Sequence, residues 1–177
     1  MKCLLAIGVL SLSNVLWAQV RIDSAICHIR GDMLTAEMKA TIQLPDAPAT
    51  AIKSGLTLEL VQEADIRRQR RWWPARTIVQ HRQRLSYNPI SQQYILDIPA
   101  ARKRLSFAYL GDALSHAAHV QPVFVTEAVT LSPVYDYDIS VRLRLDTAQL
   151  PVSLRLDALF NPQWDIASEW FPCQLVR

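Results

Sequence analysis

The clearest pattern in the chain is an alternation of apolar and polar residues with a period of two. Between residues 34 and 44 every even position is apolar and every odd position is polar, which is typical of a strand with one buried face. An apolar-rich segment at residues 22–29 precedes it, and Arg30-Gly31-Asp32 between the two predicts the tight turn of a hairpin. Arg-Gly-Asp is also an adhesion motif elsewhere, but the turn is the favoured interpretation because three residues recur by chance.

Similar alternation predicts further strands downstream. Gln62 interrupts the apolar row of the first, and Tyr87 and Tyr94 are expected to approach each other across a hairpin whose turn is residues 88–91. Pro99 should end the strand before it. These predicted strands cover residues 56–66, 77–87, 92–98, 121–131, 137–145 and 151–159.

Two segments have helical character. Asp46 and Gly55 suit the start and the end of a short helix, with Pro48 in its first turn. A second helix is predicted from Ser106 to about Ala118, because apolar residues recur on one face there. The fold class predicted is therefore mainly β: an antiparallel, sandwich-like single domain with one or two short helices, against which Trp164, Ile166 and Trp170 of the tail pack back.

The first residues predict an exported protein. Lys2 supplies a positive end, residues 4–16 an apolar stretch, and Ala18 a small residue at a cleavage point, as in a signal peptide. We therefore expect a signal peptide at 1–18 and one β-rich domain at 19–177, in the periplasm; Leu16 leaves the cleavage site open. An uncleaved anchor is the alternative, but about thirteen apolar residues are too few to span a bilayer.

The charge restricts the classes of partner, and the cysteine content bears on disulfide formation. A formal net charge of +3 is far below what phosphate neutralisation along nucleic acid requires, so no nucleic-acid partner is expected. Loss of the leader would leave two cysteines, Cys27 and Cys173. In an oxidising compartment these could form a disulfide, or they could be two separate buried thiols, and the sequence leaves both open.

The densest chemistry is an arginine and tryptophan segment between residues 67 and 84. Arginine forks bind carboxylates and phosphates and stack on indoles, so the segment suits an anionic partner. The alternative is a connection between two strands with solvated charges and a buried Trp, which is the favoured reading. The candidate binding surface comprises Arg71, Trp72, Trp73, Arg76, Arg82 and Arg84.

Other candidate chemistry is weaker. His116 and His119 are three residues apart on the second predicted helix and could present two imidazoles to a metal, and Asp136 and Asp138 could offer oxygens to a cation. Exposed histidines at the end of a helix and a turn with capping aspartates are the favoured interpretations. Neither a catalytic elbow nor a phosphate-binding glycine loop is present in the sequence, so no catalytic residue and no cofactor are predicted.

The sequence resembles the bacterial envelope proteins of the DUF4390 family. The resemblance rests on Arg71-Trp72-Trp73-Pro74, on Arg84-Leu85-Ser86-Tyr87-Asn88, and on blocks at residues 55–58, 93–94, 106–107, 141–146 and 164–170, in this order. Asn88 departs from the histidine of the family pattern, and Cys27 and Cys173 do not look like family features. The resemblance implies an envelope protein with no assigned catalytic role. Similar proteins are often encoded beside a two-component sensor kinase, which implies a connection with envelope signalling.

These observations favour a non-catalytic periplasmic binding or interaction module whose partner is an envelope protein or an anionic ligand. The alternative is a metal-dependent or hydrolytic periplasmic enzyme that uses His116, His119 and Asp136 or Asp138.

Overall fold

The computed structural model describes residues 20–30, 33–68, 75–119, 123–125 and 136–176. Within them the chain forms two β-sheets and three α-helices, which confirms the predicted mainly β domain. The predicted signal peptide, the turn at Gly31-Asp32 and most of the predicted strand at 121–131 lie outside the described residues.

The smaller sheet has four strands in the order β10-β1-β2-β7. Its centre is the predicted hairpin of β1 and β2, paired antiparallel from Val20 opposite Ile42 to Arg30 opposite Met33. The last strand, β10, pairs with β1 in parallel. The bounds are β1 Val20–Arg30, β2 Met33–Ile42, β7 Val123–Val125 and β10 Gln174–Val176.

The larger sheet has six strands in the order β6-β5-β4-β3-β8-β9, all antiparallel. The predicted hairpin of β4 and β5 is confirmed, with the Tyr87 and Tyr94 ring centroids 5.0 Å apart. The bounds are β3 Leu58–Arg68, β4 Ala75–Asn88, β5 Gln93–Ile98, β6 Lys103–Phe107, β8 Tyr137–Asp146 and β9 Phe171–Pro172.

The helices are α1 (Asp46–Lys53), α2 (Leu110–His119) and α3 (Val152–Phe160). Gly55 follows α1 with a φ of 93°, the left-handed conformation predicted for its end. Two predictions were wrong. Ser106 does not begin a helix, because it lies in β6 and pairs with β5.

The second wrong prediction is the strand at residues 151–159, which is the helix α3. Its even positions 152, 154, 156 and 158 are apolar, so the period of two pointed to a strand. Pro151 precedes the first turn and accepts backbone hydrogen bonds from Leu154 and Arg155. The Trp164 indole also donates to the Asp157 carboxylate at 2.8 Å. These contacts favour a helix over an extended segment.

The core lies between the two sheets and beneath α2. The inner face of the larger sheet is mostly aliphatic, but Gln62, His81 and Gln83 are buried in it. Gln62 and Gln83 donate to the Ala117 carbonyl at the end of α2, each at 3.3 Å. This polar group therefore ties the sheet to the last turn of the helix.

A disulfide joins Cys27 in β1 to Cys173, with the Cα atoms 5.7 Å apart and a sequence separation of 146 residues. Cys173 lies between β9 of the larger sheet and β10 of the smaller one. The bridge therefore fixes the segment in which the chain passes from one sheet to the other.

Candidate functional site: an arginine layer on the outer sheet face

The outer face of the larger sheet carries a layer of paired charges on its three central strands, β4, β3 and β8. The antiparallel register places Glu59 of β3 beside Arg84 of β4 and Asp146 of β8, and Glu63 beside Arg142 of β8. We call six side chains the arginine layer: Arg67, Arg76, Arg82, Arg84, Arg142 and Arg144. Four buried carboxylates hold them: Glu59, Glu63, Asp65 and Asp146.

Glu63 is the centre of the layer. Arg142 donates to its Oε2, and Arg144 donates to its Oε1 at 3.2 Å. Gln80 also donates to Oε1, at 2.7 Å. Burial alone would raise the pKa of Glu63, but the hydrogen bond from Arg142 and the charges of both arginines outweigh it and lower the pKa below its usual value. Glu63 is therefore a carboxylate at neutral pH.

Arg82 connects the two carboxylates at one end of the layer. Its Nη1 donates to Glu59 at 2.6 Å and to Asp146 at 3.0 Å, and its Nη2 donates to Gln80 at 2.8 Å. Burial raises the pKa of Asp146, but hydrogen bonds from the Ala148 backbone and from Arg82 outweigh it, and the pKa is lowered overall. The hydrogen bond that Arg82 donates to Glu59 raises the pKa of Arg82.

Asp65 organises the other end. Arg67 donates to Oδ2 through Nε and Nη2, at 3.0 and 2.8 Å, and Arg76 donates to Oδ1 at 2.9 Å. Both carboxylate oxygens of this buried side chain are thus used. Burial would raise the pKa of Asp65, but the hydrogen bonds from Arg76 and Arg67 lower it below its ordinary value.

The arginines remain partly open to solvent although their partners are buried. The side chains of Arg67, Arg76, Arg82 and Arg84 are 41–58% exposed. The least engaged is Arg84, whose Nε is 4.0 Å from Glu59. Asp138 of β8 lies opposite Arg67 in the strand register, so the six arginines face five carboxylates and leave the layer with one positive charge in excess. The layer therefore presents guanidinium groups, in fixed positions, to an anion in solution.

An arginine also stacks on a tryptophan here. The Arg142 guanidinium carbon lies 4.5 Å from the centroid of the half-buried Trp170 ring, which is within the range of a cation–π contact. The sequence suggested stacking of arginine on Trp72 and Trp73. In the described residues such a contact occurs at Trp170, in the tail after α3.

The structure places only part of the predicted surface. Arg76, Arg82 and Arg84 point to the same face of β4, whereas Arg71, Trp72 and Trp73 lie outside the described residues. The sequence reasoning did not include Arg142, Arg144 or the four carboxylates. A signal was present: Arg142 and Arg144 alternate with apolar residues in β8, and the acidic residues of β3 do so too.

The residues of the alternative metal site do not come together as a ligand set. The His116 ring centroid is 5.4 Å from that of Phe107, and Nδ1 of His119 is 2.6 Å from the Ser115 carbonyl of its own helix. Asp138 of β8 lies opposite Arg67 of β3 in the register of the two strands. Within the described parts of the chain, no group of three or more His, Cys, Asp or Glu residues is arranged to hold a metal ion. The enzyme alternative stays a prediction.

Comparison with protein families identifies the family of this chain. The family described as "Domain of unknown function (DUF4390)" matches residues 18–174 of the 177-residue chain. The chain belongs to the DUF4390 family. A search of curated proteins and a search of solved structures found no significant match.

None of the helices in the described part of the chain has the length and apolar character that a bilayer crossing requires. The arginine layer lies entirely within the matched residues.

Proposed function

We propose that this DUF4390 domain is a non-catalytic binding module of the periplasm, and that its arginine layer binds an anionic partner through phosphate or carboxylate groups. The observation that carries the proposal is the arrangement of six partly exposed arginines over four buried carboxylates. The side chains of Arg67, Arg76, Arg82 and Arg84 stay 41–58% exposed, so their guanidinium groups remain accessible to a ligand.

The buried carboxylates make the layer suitable for recognition. An arginine on a flexible surface loses side-chain entropy when it binds a ligand. Here Glu63 and Asp65 each hold two arginines before any ligand arrives. The entropy loss on binding is therefore smaller, and the spacing between guanidinium groups is set by the strands.

The first residues and the disulfide support the periplasmic location that we propose. An apolar stretch at residues 4–16 after Lys2 supports export, and the disulfide between Cys27 and Cys173 suits an oxidising compartment. We further propose a role in envelope signalling, for which the support is the resemblance described above.

Titration with small anions tests the proposal. Inorganic pyrophosphate and glutarate are titrated separately into the full chain labelled with 15N, and the arginine Nε–Hε signals are followed by NMR. We expect saturable shifts for Arg76, Arg82 and Arg84 with at least one anion. Sodium chloride at equal ionic strength is the control for simple screening.

Two triple variants sharpen the test. Arg76→Gln, Arg82→Gln and Arg84→Gln together should lower the affinity about tenfold or more, because charge-assisted hydrogen bonds contribute about 1.5–3 kcal/mol each. The matched control removes three exposed charges outside the layer, at Arg21, Lys39 and Lys53. Equal loss in both variants, or shifts that sodium chloride reproduces, would contradict the proposal.

A further inference from the structure

Helix α3 is apolar on two opposite sides. Leu154 and Ala158 face inward and pack against the core. Four large side chains on the outward side are exposed: Val152 (70%), Leu156 (58%), Leu159 (75%) and Phe160 (86%). Because 3.6 residues complete a turn, positions 152, 156, 159 and 160 form a single stripe about 100° wide. A helix with apolar residues on both sides is normally covered on both.

The helix is fixed to the domain, so the stripe is a feature of the folded protein. Trp164 donates to Asp157, and Arg155 donates to the Leu150 carbonyl at 2.9 Å. These contacts lie on the inner side and flanks and leave the outward stripe free of them.

The stripe adjoins the arginine layer. Leu159 and Phe160, at the end of α3, line a cleft of about 510 Å³ together with Arg142 and Arg144 of β8. One wall of the cleft is thus cationic, and the edge of the other is apolar. The cleft thus brings hydrocarbon side chains and guanidinium groups together, and Thr147, Asn161 and Asp165 also line it.

We propose that this side of the molecule, made of the outward stripe of α3 and the adjoining arginines, binds the surface of a bilayer that contains anionic lipids. The lipid phosphates would contact the arginines, and the stripe would enter the boundary between headgroups and acyl chains, as amphipathic interfacial helices do. This inference rests on the proposed anion-binding function and names its partner.

The charge complementarity favours a lipid surface over a small ligand as the partner. The layer has an excess of positive charge beside a convex apolar stripe, which corresponds in order to the phosphate and hydrocarbon layers of a membrane. The cleft between α3 and β8 is wide open at Phe160, which is 86% exposed, whereas a pocket for a single small ligand encloses most of that ligand.

Vesicle co-sedimentation tests the inference. The full chain is mixed with vesicles of phosphatidylcholine alone or of phosphatidylcholine and phosphatidylglycerol. We expect partitioning to increase with the phosphatidylglycerol fraction and to weaken in high salt. Residues 1–18 are the same in all variants, so their contribution to vesicle binding cancels in the comparison.

A matched pair of variants isolates the stripe. Phe160→Glu should lower the partition coefficient for phosphatidylglycerol vesicles about tenfold or more, because burying a Phe side chain is worth about 1.5–3 kcal/mol. Ile90→Glu adds the same charge at a residue that is 95% exposed in the turn between β4 and β5, and it should change the coefficient much less. Circular dichroism checks that both variants are folded.

The outcomes separate this inference from the proposed function. Equal partitioning of the two variants, no preference for phosphatidylglycerol, or conversion of a dimer into a monomer by Phe160→Glu would overturn the membrane inference. Saturable binding of pyrophosphate without vesicle binding would leave the anion-binding module intact and remove only the membrane. If the wild-type chain bound neither pyrophosphate nor glutarate, the proposed function would fail, and the membrane inference that rests on it would fail too.

Discussion

The two faces of β3 are both buried, but by opposite means. The inner face presents Leu58, Leu60, Ala64 and Ile66 to the core, with Gln62 among them. The outer face presents Glu59, Glu63 and Asp65, which are covered by the side chains of arginines from β4 and β8.

The difference shows what each face contributes. Apolar burial contributes stability in proportion to area, whereas a buried ion pair gains little net stability because desolvation offsets the attraction. The inner face therefore holds the sheet together. The outer face fixes the positions of charges, which is of use to a binding surface.

The largest loss of stability is expected from a substitution on the inner face. Leu60→Ala removes a fully buried side chain and should lower the free energy of unfolding by about 2–5 kcal/mol, as large-to-small core substitutions do. Urea unfolding followed by circular dichroism measures it. Leu159→Ala, at an exposed position of α3, is the control, and we expect a change within about 0.5 kcal/mol. Similar losses for both would refute the assignment of the core.

The next largest loss of stability is expected from a substitution at the centre of the outer face. Glu63→Gln removes the charge that holds Arg142 and Arg144. We expect a loss of about 1–3 kcal/mol, less than for an enclosed pair, because both arginines have some access to water. The control is Glu37→Gln, at an exposed position of β2.

The pH dependence of that loss has a definite sign. The pKa of Glu63 is lowered in the folded protein from a usual value of 4.5. The stability that the carboxylate contributes is therefore present above pH 4.5, and it disappears as the pH falls through the lowered folded pKa. The difference between wild type and Glu63→Gln should shrink in the same interval. A difference that stays constant down to pH 2 would contradict the ion-pair explanation.

The alternation of the sequence was enough to predict the hairpin of β1 and β2 and the pairing of Tyr87 with Tyr94. It was not enough for α3, because residues 152–158 alternate as a strand does, and only contacts such as Trp164 with Asp157 decide for a helix. The alternation also separated the two faces of β3 without indicating that the acidic face would be buried. Its cover comes from β4 and β8, and strand neighbours follow from topology, which local sequence does not specify.

A smaller effect concerns the polar group on the inner face. Burial lowers the pKa of His81 below its usual 6.5, so the folded protein keeps a neutral imidazole while the unfolded chain takes up a proton. Stability should therefore fall as the pH drops below 6.5, by up to about 1.4 kcal/mol per pH unit. Urea unfolding of His81→Gln between pH 7 and 5 should show this slope reduced. His116→Gln, on the exposed side of α2, should retain the slope, and equal slopes in all three proteins would contradict the explanation.

The smallest expected effect on stability is at Arg84, and it separates the structural part of the outer face from the binding part. Its Nε is 4.0 Å from Glu59 and its side chain is 58% exposed, so Arg84→Gln should change the free energy of unfolding by less than about 0.5 kcal/mol. The same substitution removes a guanidinium that is available to an anion, so pyrophosphate affinity should fall while urea unfolding is unchanged. Arg82→Gln is the contrasting variant, since Arg82 donates to Glu59 and Asp146 and should change both quantities. If Arg84→Gln destabilised the fold as much as Arg82→Gln does, the outer face would be a structural network throughout, with no part of it reserved for a partner.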